Sequence, residues 1–317
     1  MIKFIKLTAL YLTILFISLI LIIASLSNIV KKRDFKNHQT ESNLLVMKSN
    51  EKFDILIMGI SHARNFSRHK NHLRIENILD KGIINIGQGG GACGINEQLF
   101  YLDYFYHKEN EASTVVYILS PPLLFSETLP YASNTFDYEP FEFDFLFRYL
   151  LFSSTNKKER ISSYLKTKFR RNWFFYRPHS LESKDDKLDS ISSYAIIKGQ
   201  KMVYNDSLSL NRFNKSILRI KETIQLALGN NSNVVLIIPP AIFGRWKGHE
   251  NVTRFAREMQ GIEGVEFYDF SESVLSKEYY YDHHHLNTDG IVFFTKKYLN
   301  PILNPPNELL KAYNRYN

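Results

Sequence analysis

A single cysteine, Cys93, in 317 residues excludes an internal disulfide framework, so a buried core has to carry the stability. No Cys or Glu stands at a recognised zinc-ligand spacing near the one histidine cluster, His283-His284-His285, and adjacent histidines diverge, so no metal is expected. The glycines after Ile86 offer no dinucleotide frame: after Gly87 and Gly89, Gly94 falls two places late for G-x-G-x-x-G. No internal repeat is visible. The formal net charge of +8 comes without a nucleic-acid motif, and a membrane surface or an anionic envelope polymer accounts for it as well as DNA would.

Charge is also missing from Leu7 to Val30, 24 consecutive positions. A helix there covers roughly 36 Å, enough to cross a ~30 Å hydrocarbon core with some tilt. The rival reading, a cleavable signal peptide, has small residues at Ala24-Ser25-Leu26-Ser27. Its apolar region normally spans only ~7–15 residues, so an uncleaved anchor is expected over residues 1–30. Lys3 and Lys6 precede the run and Lys31, Lys32 and Arg33 follow it, so loop charge alone does not orient the chain. Residues 31–51 are polar without a helical stripe and read as a tether.

The remainder, 52–317, reads as one α/β domain. Short apolar runs at Phe53–Met58, Ile83–Ile86, Thr114–Leu119, Asn233–Ile238 and, more weakly, Val265–Phe270 have the character of strands buried on both faces. Phe213, Ile217, Ile220, Ile224 and Ala227 recur at helical spacing, with Gly229 expected as the C-terminal cap. The alternation implies a three-layer sandwich around a mostly parallel sheet. Residues 121–208 break the rhythm and read as an insertion. It holds an aromatic run, Phe141–Phe147, and a basic cluster of Lys166, Lys168, Arg170, Arg171 and Arg177 around Trp173-Phe174-Phe175-Tyr176. A lid or substrate platform and a packed subdomain are both open readings of it.

Three places carry chemistry. Ser61 follows the first strand at Gly59-Ile60, where the chain must turn into a helix. Its hydroxyl then stands at the carboxyl end of a central strand and its N–H at a helix N-terminus. The bland alternative is an N-cap serine. In Asp282-His283-His284-His285 the aspartate and His285 are three apart, so a turn lets the carboxylate accept from one imidazole nitrogen while the other faces a serine. Here the bland alternative is a solvated loop ahead of a helix capped by Asn287 or Thr288. Thirdly, Asn85-Ile86-Gly87-Gln88-Gly89-Gly90 would let backbone N–H groups approach a ligand.

Together these blocks resemble the SGNH (GDSL-like) hydrolase superfamily over roughly Phe53 to Leu303, the insertion excepted. The resemblance implies a flavodoxin-like SGNH fold, Ser61 as nucleophile, His285 as base and Asp282 as its orienter. The oxyanion donors would be the N–H groups of Ser61 and Gly90, the latter in an N-x-x-x-x-G frame from Asn85, and no cofactor is implied. Two departures stand out. Ile60 replaces the aspartate of G-D-S, and Leu119-Ser120-Pro121-Pro122 occupies the block that normally supplies an oxyanion asparagine. Similarity to membrane-anchored relatives that decorate envelope polymers implies an extracytoplasmic O-acyltransferase or esterase. Its partners would be a surface polysaccharide, membrane lipid and a multi-pass acyl-donor protein. The rival from another class is an inactive glycan-binding scaffold.

Overall fold

The computed structural model describes residues 1–37, 48–88, 94–126, 134–137, 139–169, 187–204 and 208–305, the side chains of 31–37 excepted. Helix α1 (Ile2–Asn37) comes first. It runs seven residues beyond Val30, into the stretch expected to be a tether; of that stretch, 38–47 lie outside the described residues. Its segment Ile2–Val30 is long and apolar enough to cross a membrane. Leu7, Leu10, Leu12, Leu15 and Phe16 are exposed, while among the described side chains Ile20, Ile23, Ala24, Ser27 and Val30 toward the far end are partly or fully buried against the rest of the chain.

The α/β unit follows as β1 (Lys52–Gly59), α2 (Ser61–Arg64), α3 (Asn71–Leu79), β2 (Ile83–Asn85), α4 (Ile95–His107) and β3 (Glu111–Ile118). Helices α5 (Pro121–Phe125), α6 (Phe143–Leu151), α7 (Lys157–Thr167) and α8 (Ser193–Tyr204) make up the described insertion. Then come α9 (Leu210–Gly229), β4 (Asn233–Ile238), α10 (His249–Gln260), β5 (Val265–Asp269) and α11 (Thr288–Phe294).

All five strands are parallel, in the order β2-β1-β3-β4-β5. The period-2 alternation of each strand divides its apolar side chains between two faces. Leu56, Met58, Val115, Tyr117, Leu236 and Ile238 pack toward one helical layer; Ile55, Ile57, Val116, Ile118, Val235 and Ile237 pack toward the other. Both faces are covered, which is why these strands read as continuous apolar runs. Helix α9 begins where Ser209 Oγ accepts from the Arg212 N–H at 3.2 Å. Its end differs from expectation: Gly229 is the last helical residue, and the left-handed turn is made by Asn231, at φ 60°. Asparagine tolerates that conformation better than most residues, so no glycine was needed.

The sheet order places a topological switch between β1 and β3. The chain leaves β1 toward β2 on one side and continues from β3 toward β5 on the other, which opens a crevice at the carboxyl ends of those two strands.

Candidate active site

The crevice is built on close approach. At the end of β1, Gly59 has φ +138°, and a Cβ there would lie 2.7 Å from the Ile118 carbonyl oxygen, so only glycine lets β1 and β3 meet this tightly. The chain then turns at Ile60, and Ser61 opens α2. Asn85, fully buried at the end of β2, donates from Nδ2 to the Ala63 carbonyl at 2.8 Å and accepts the Gly87 N–H at 2.7 Å. Helix α2 is therefore tied to β2, and the serine it carries has little freedom.

The loop before α11 meets α2 from the other end of the chain. Tyr280 and Leu286 form an antiparallel bridge, and the Tyr281 N–H donates to the His285 carbonyl at 3.2 Å, so residues 281–285 form a closed turn. Asn287 caps α11 by accepting the Gly290 N–H at 2.9 Å. At Gly290 a Cβ would lie 2.1 Å from the Tyr279 carbonyl oxygen, so glycine is required for the helix to start this close to the loop. Asn65 Nδ2 donates to the Leu286 carbonyl at 3.3 Å, joining α2 to this loop across 221 positions of sequence.

As a result Ser61, His285 and Asp282 lie in one line of hydrogen bonds. Ser61 Oγ is 2.7 Å from His285 Nε2, and His285 Nδ1 is 2.7 Å from Asp282 Oδ2. The other oxygen, Oδ1, accepts the backbone N–H groups of His284 at 2.8 Å and His285 at 2.7 Å. Burial opposes ionisation of Asp282. The hydrogen bond from His285, the charges of His285 and His284 and the His284 N–H outweigh it and hold the carboxyl well below the usual range. An ionised Asp282 keeps the proton of His285 on Nδ1 and leaves Nε2 as an acceptor for the serine hydroxyl.

Two further histidines crowd this line. His62, the residue after the serine, is buried; its Nδ1 is 2.8 Å from Ser120 Oγ and its ring centroid is 4.8 Å from that of His285. Burial first, then the neighbouring His285 and His284, push its pKa well below the ordinary histidine value. His62 Nε2 is buried, and a hydrogen bond of the ring with the His284 backbone opposes part of this shift. His284 packs edge-on to Trp246 at 5.4 Å, and burial with the charge of His285 lowers it to about 4. Both rings are neutral near pH 7. Sequence reasoning passed over His62 and met Ser120 only as a stand-in for the oxyanion donor missing from its block. The only available signal was their placement directly after β1 and β3, the two strands that flank the switch.

Donor atoms of Asp282, His284 and His285 lie within 4.8 Å of one another. Both oxygens of Asp282 and both ring nitrogens of His285 are already hydrogen-bonded, so a cation there would have to displace the line from Ser61 to Asp282.

Beside Ser61 lies a cavity of about 340 Å³, bordered by His62, Pro122, Ile196, Val203, Phe243 and Trp246 as well as the histidine loop. The insertion contributes through α8, and the Ser192 N–H just before that helix donates to His283 Nε2 at 3.0 Å. The wall it supplies is mostly aliphatic, with the amide of Gln200 as its polar member. The aromatic run expected as a platform is elsewhere: Phe141 and Phe145 are buried in a ring cluster with Phe136, Tyr149 and Tyr164, and none of Phe141–Phe147 borders the cavity. Nor does Lys168 form an anion-binding surface. It is buried, donates to the Asp137 carbonyl at 2.9 Å, and is brought down to about 7 by burial. Arg170, Arg171, Arg177 and the aromatics between them lie outside the described residues, as does Gly90. Pro121, at the place of the expected oxyanion asparagine, begins α5 and has no N–H to donate.

No family model and no curated protein matches the chain. Among solved structures, a Bacteroides fragilis protein with a provisional acylhydrolase description is 12% identical, with 81% of this chain and 89% of that one covered and a TM-score of 0.40. A likeness that loose bears on neither mechanism nor substrate.

Proposed function

We propose that the chain is a membrane-anchored SGNH-type O-acyltransferase or esterase working through an acyl-Ser61 intermediate. The observation that carries this reading is the line Ser61 Oγ–His285 Nε2 and His285 Nδ1–Asp282 Oδ2, each 2.7 Å, at the carboxyl end of the sheet and beside a cavity. In the forward step Ser61 Oγ bonds to the ester carbonyl carbon while its proton passes to His285 Nε2. The tetrahedral adduct then collapses, the ester C–O bond breaks, and the departing oxygen takes that proton. An acceptor hydroxyl, from water or a sugar, repeats the sequence in reverse. Asp282 orients the imidazole and balances its transient charge.

The apolar wall of Pro122, Ile196, Val203, Phe243 and Trp246 suits the hydrocarbon part of a small acyl group, and its exclusion of water favours transfer over hydrolysis. Oxyanion stabilisation is assigned to the N–H groups of Ser61 and Gly90. His62 is assigned the place of the donor that Pro121 lacks: when Ser120 donates to Nδ1, the proton sits on Nε2, and the ring borders the cavity beside Ser61. The acceptor is a cell-envelope polysaccharide, the domain lies outside the cytoplasm, and the acyl donor is delivered by a multi-pass membrane partner.

Mass spectrometry of the full chain after exposure to an activated acetyl ester tests the chemistry. An acetyl adduct on Ser61, absent from Ser61→Ala, is expected, together with turnover that rises when an acceptor oligosaccharide is added. The proline at position 121 favours one rival, an inactive glycan-binding scaffold. That reading wins if no adduct forms and Ser61→Ala leaves surface-glycan acylation in cells unchanged.

A further inference from the structure

Helix α6 is apolar on two opposite faces. Phe145 and Tyr149 point inward and are buried. Phe143, Phe147, Leu150 and Leu151, spaced i, i+4, i+7 and i+8, form a single outward stripe and are 57%, 64%, 48% and 72% exposed. The polar residues between the faces are already engaged: Arg148 Nε donates to Asp103 at 2.8 Å, and Asp144 is hydrogen-bonded to His107 at 2.9 Å. A helix apolar on both faces in this way belongs in an apolar medium rather than at a water interface.

What that medium is follows from α1. Counted from Leu7, about 20 residues of helix cross a hydrocarbon core, which brings the chain to the membrane surface at about Leu26. The next residue, Ser27, is buried against the insertion, and its Oγ accepts the Phe141 N–H at 2.8 Å. The Phe141 and Phe143 rings are 4.9 Å apart. The stripe on α6 therefore starts within two residues of the point where α1 leaves the bilayer, and Lys31, Lys32 and Arg33 follow in the sequence, where lipid phosphates would be met.

We infer that the outer face of α6 lies in the interfacial layer of the same bilayer that α1 crosses, so that the domain is held on the membrane at two points. The inference rests on α1 being a membrane span. A helix of this kind sinks its apolar side roughly 5–10 Å into the headgroup and upper acyl region. Two points fix the tilt of the domain, which a single helix followed by a flexible tether would not do.

The test uses the full chain, Cys93→Ser, in liposomes containing nitroxide-labelled phosphatidylcholine. A fluorophore is placed in turn at Leu15→Cys, Phe147→Cys, Leu151→Cys and, on the exposed side of α10, Arg254→Cys. Positions 147 and 151 are expected to be quenched at least half as strongly as 15 and several-fold more than 254. Quenching at 15 with 147 and 151 no different from 254 overturns the inference and leaves the anchor standing. Absence of quenching at 15 removes the anchor, and the inference with it. Protection of 147 and 151 from aqueous iodide without quenching by lipid means that protein, not lipid, covers the stripe, and also overturns it.

Discussion

Two histidines near the carboxyl ends of the strands, His285 and His249, each meet both an aspartate and a hydroxyl, and of these two the first is wired for proton transfer. In the pair His285–Asp282 the two ring nitrogens have separate partners, the carboxylate on Nδ1 and the Ser61 hydroxyl on Nε2. In the pair His249–Asp269 both partners crowd onto one nitrogen: Nε2 is 2.9 Å from Asp269 Oδ2 and 3.2 Å from Thr253 Oγ1, while the buried Nδ1 makes no hydrogen bond. With carboxylate and hydroxyl on the same nitrogen, that ring cannot take the hydroxyl's proton at one nitrogen while the carboxylate holds the other, and Nδ1 meets no hydroxyl. Distance alone does not separate the two pairs; what separates them is which nitrogen each partner meets, and whether a cavity adjoins the hydroxyl.

The strongest way to break this comparison is to remove each histidine in turn. His285→Ala should lower acyl transfer by roughly 10⁶-fold, the scale seen when a triad base is lost, with the fold retained by circular dichroism. His249→Ala should leave the rate within about two-fold and show its effect in thermal stability instead. Equal losses of activity from both would mean that the two pairs do not differ in function.

A third polar cluster sharpens it from the structural side. Arg160 Nη1 and Glu97 Oε1, 2.9 Å apart and both sealed from solvent, join α7 to α4, with Ser154 and Tyr149 also bonded to the carboxylate. Burial raises the Glu97 pKa against the pull of Arg160. Truncating one member strands the other, so Arg160→Met should cost about 3–5 kcal/mol of stability. Restoring neutrality with Glu97→Gln in the same chain should recover part of it. Chemical unfolding of the two variants measures this, and a cost under about 1 kcal/mol for Arg160→Met would mean that water reaches the pair.

His62 should produce a smaller effect than the base. As an oxyanion donor its removal in His62→Ala would cost about 10²–10³-fold in kcat with KM little changed. His62→Gln, which keeps a side-chain N–H, should regain a good part. If KM rises and kcat holds, His62 only shapes the cavity.

The smallest expected effect is on pH-dependent stability. His284 and His62 have folded-state pKa values below those of the unfolded chain, so between them the unfolded state binds more protons, and stability falls as pH drops from about 6.5 toward 4. Asp282 is lowered too, but its contribution is lost only below about pH 4, as protonation of the unfolded carboxylate begins to compete. Solvent reaches about a third of the His284 side chain, which keeps its share to about 1 kcal/mol. Melting temperatures at pH 7 and pH 5 should therefore differ by a few degrees, and His284→Phe should narrow the gap.

The five strands were legible as apolar runs because a strand buried on both faces has to be apolar throughout, and that demand is local. The serine after β1, the D-x-x-H turn and the asparagine cap of α11 were legible for the same reason, since each is a matter of neighbouring residues and turn chemistry. Sequence alone also marked Leu7 to Val30 as long and apolar enough to cross a bilayer. What it left undecided was which distant pieces meet. Ser61 and His285 are 224 positions apart, His62 and Ser120 are 58, and Asn65 and Leu286 are 221. Their meeting follows from the strand order β2-β1-β3-β4-β5, and periodicity carries no information about that order. The same limit hid the roles within the insertion. Hydrophobicity marked Phe141–Phe147 as notable but could not say which rings face inward, and it gave no sign that α8 would form the cavity wall. Burial is a property of what packs against a residue, and only the tertiary structure supplies that partner.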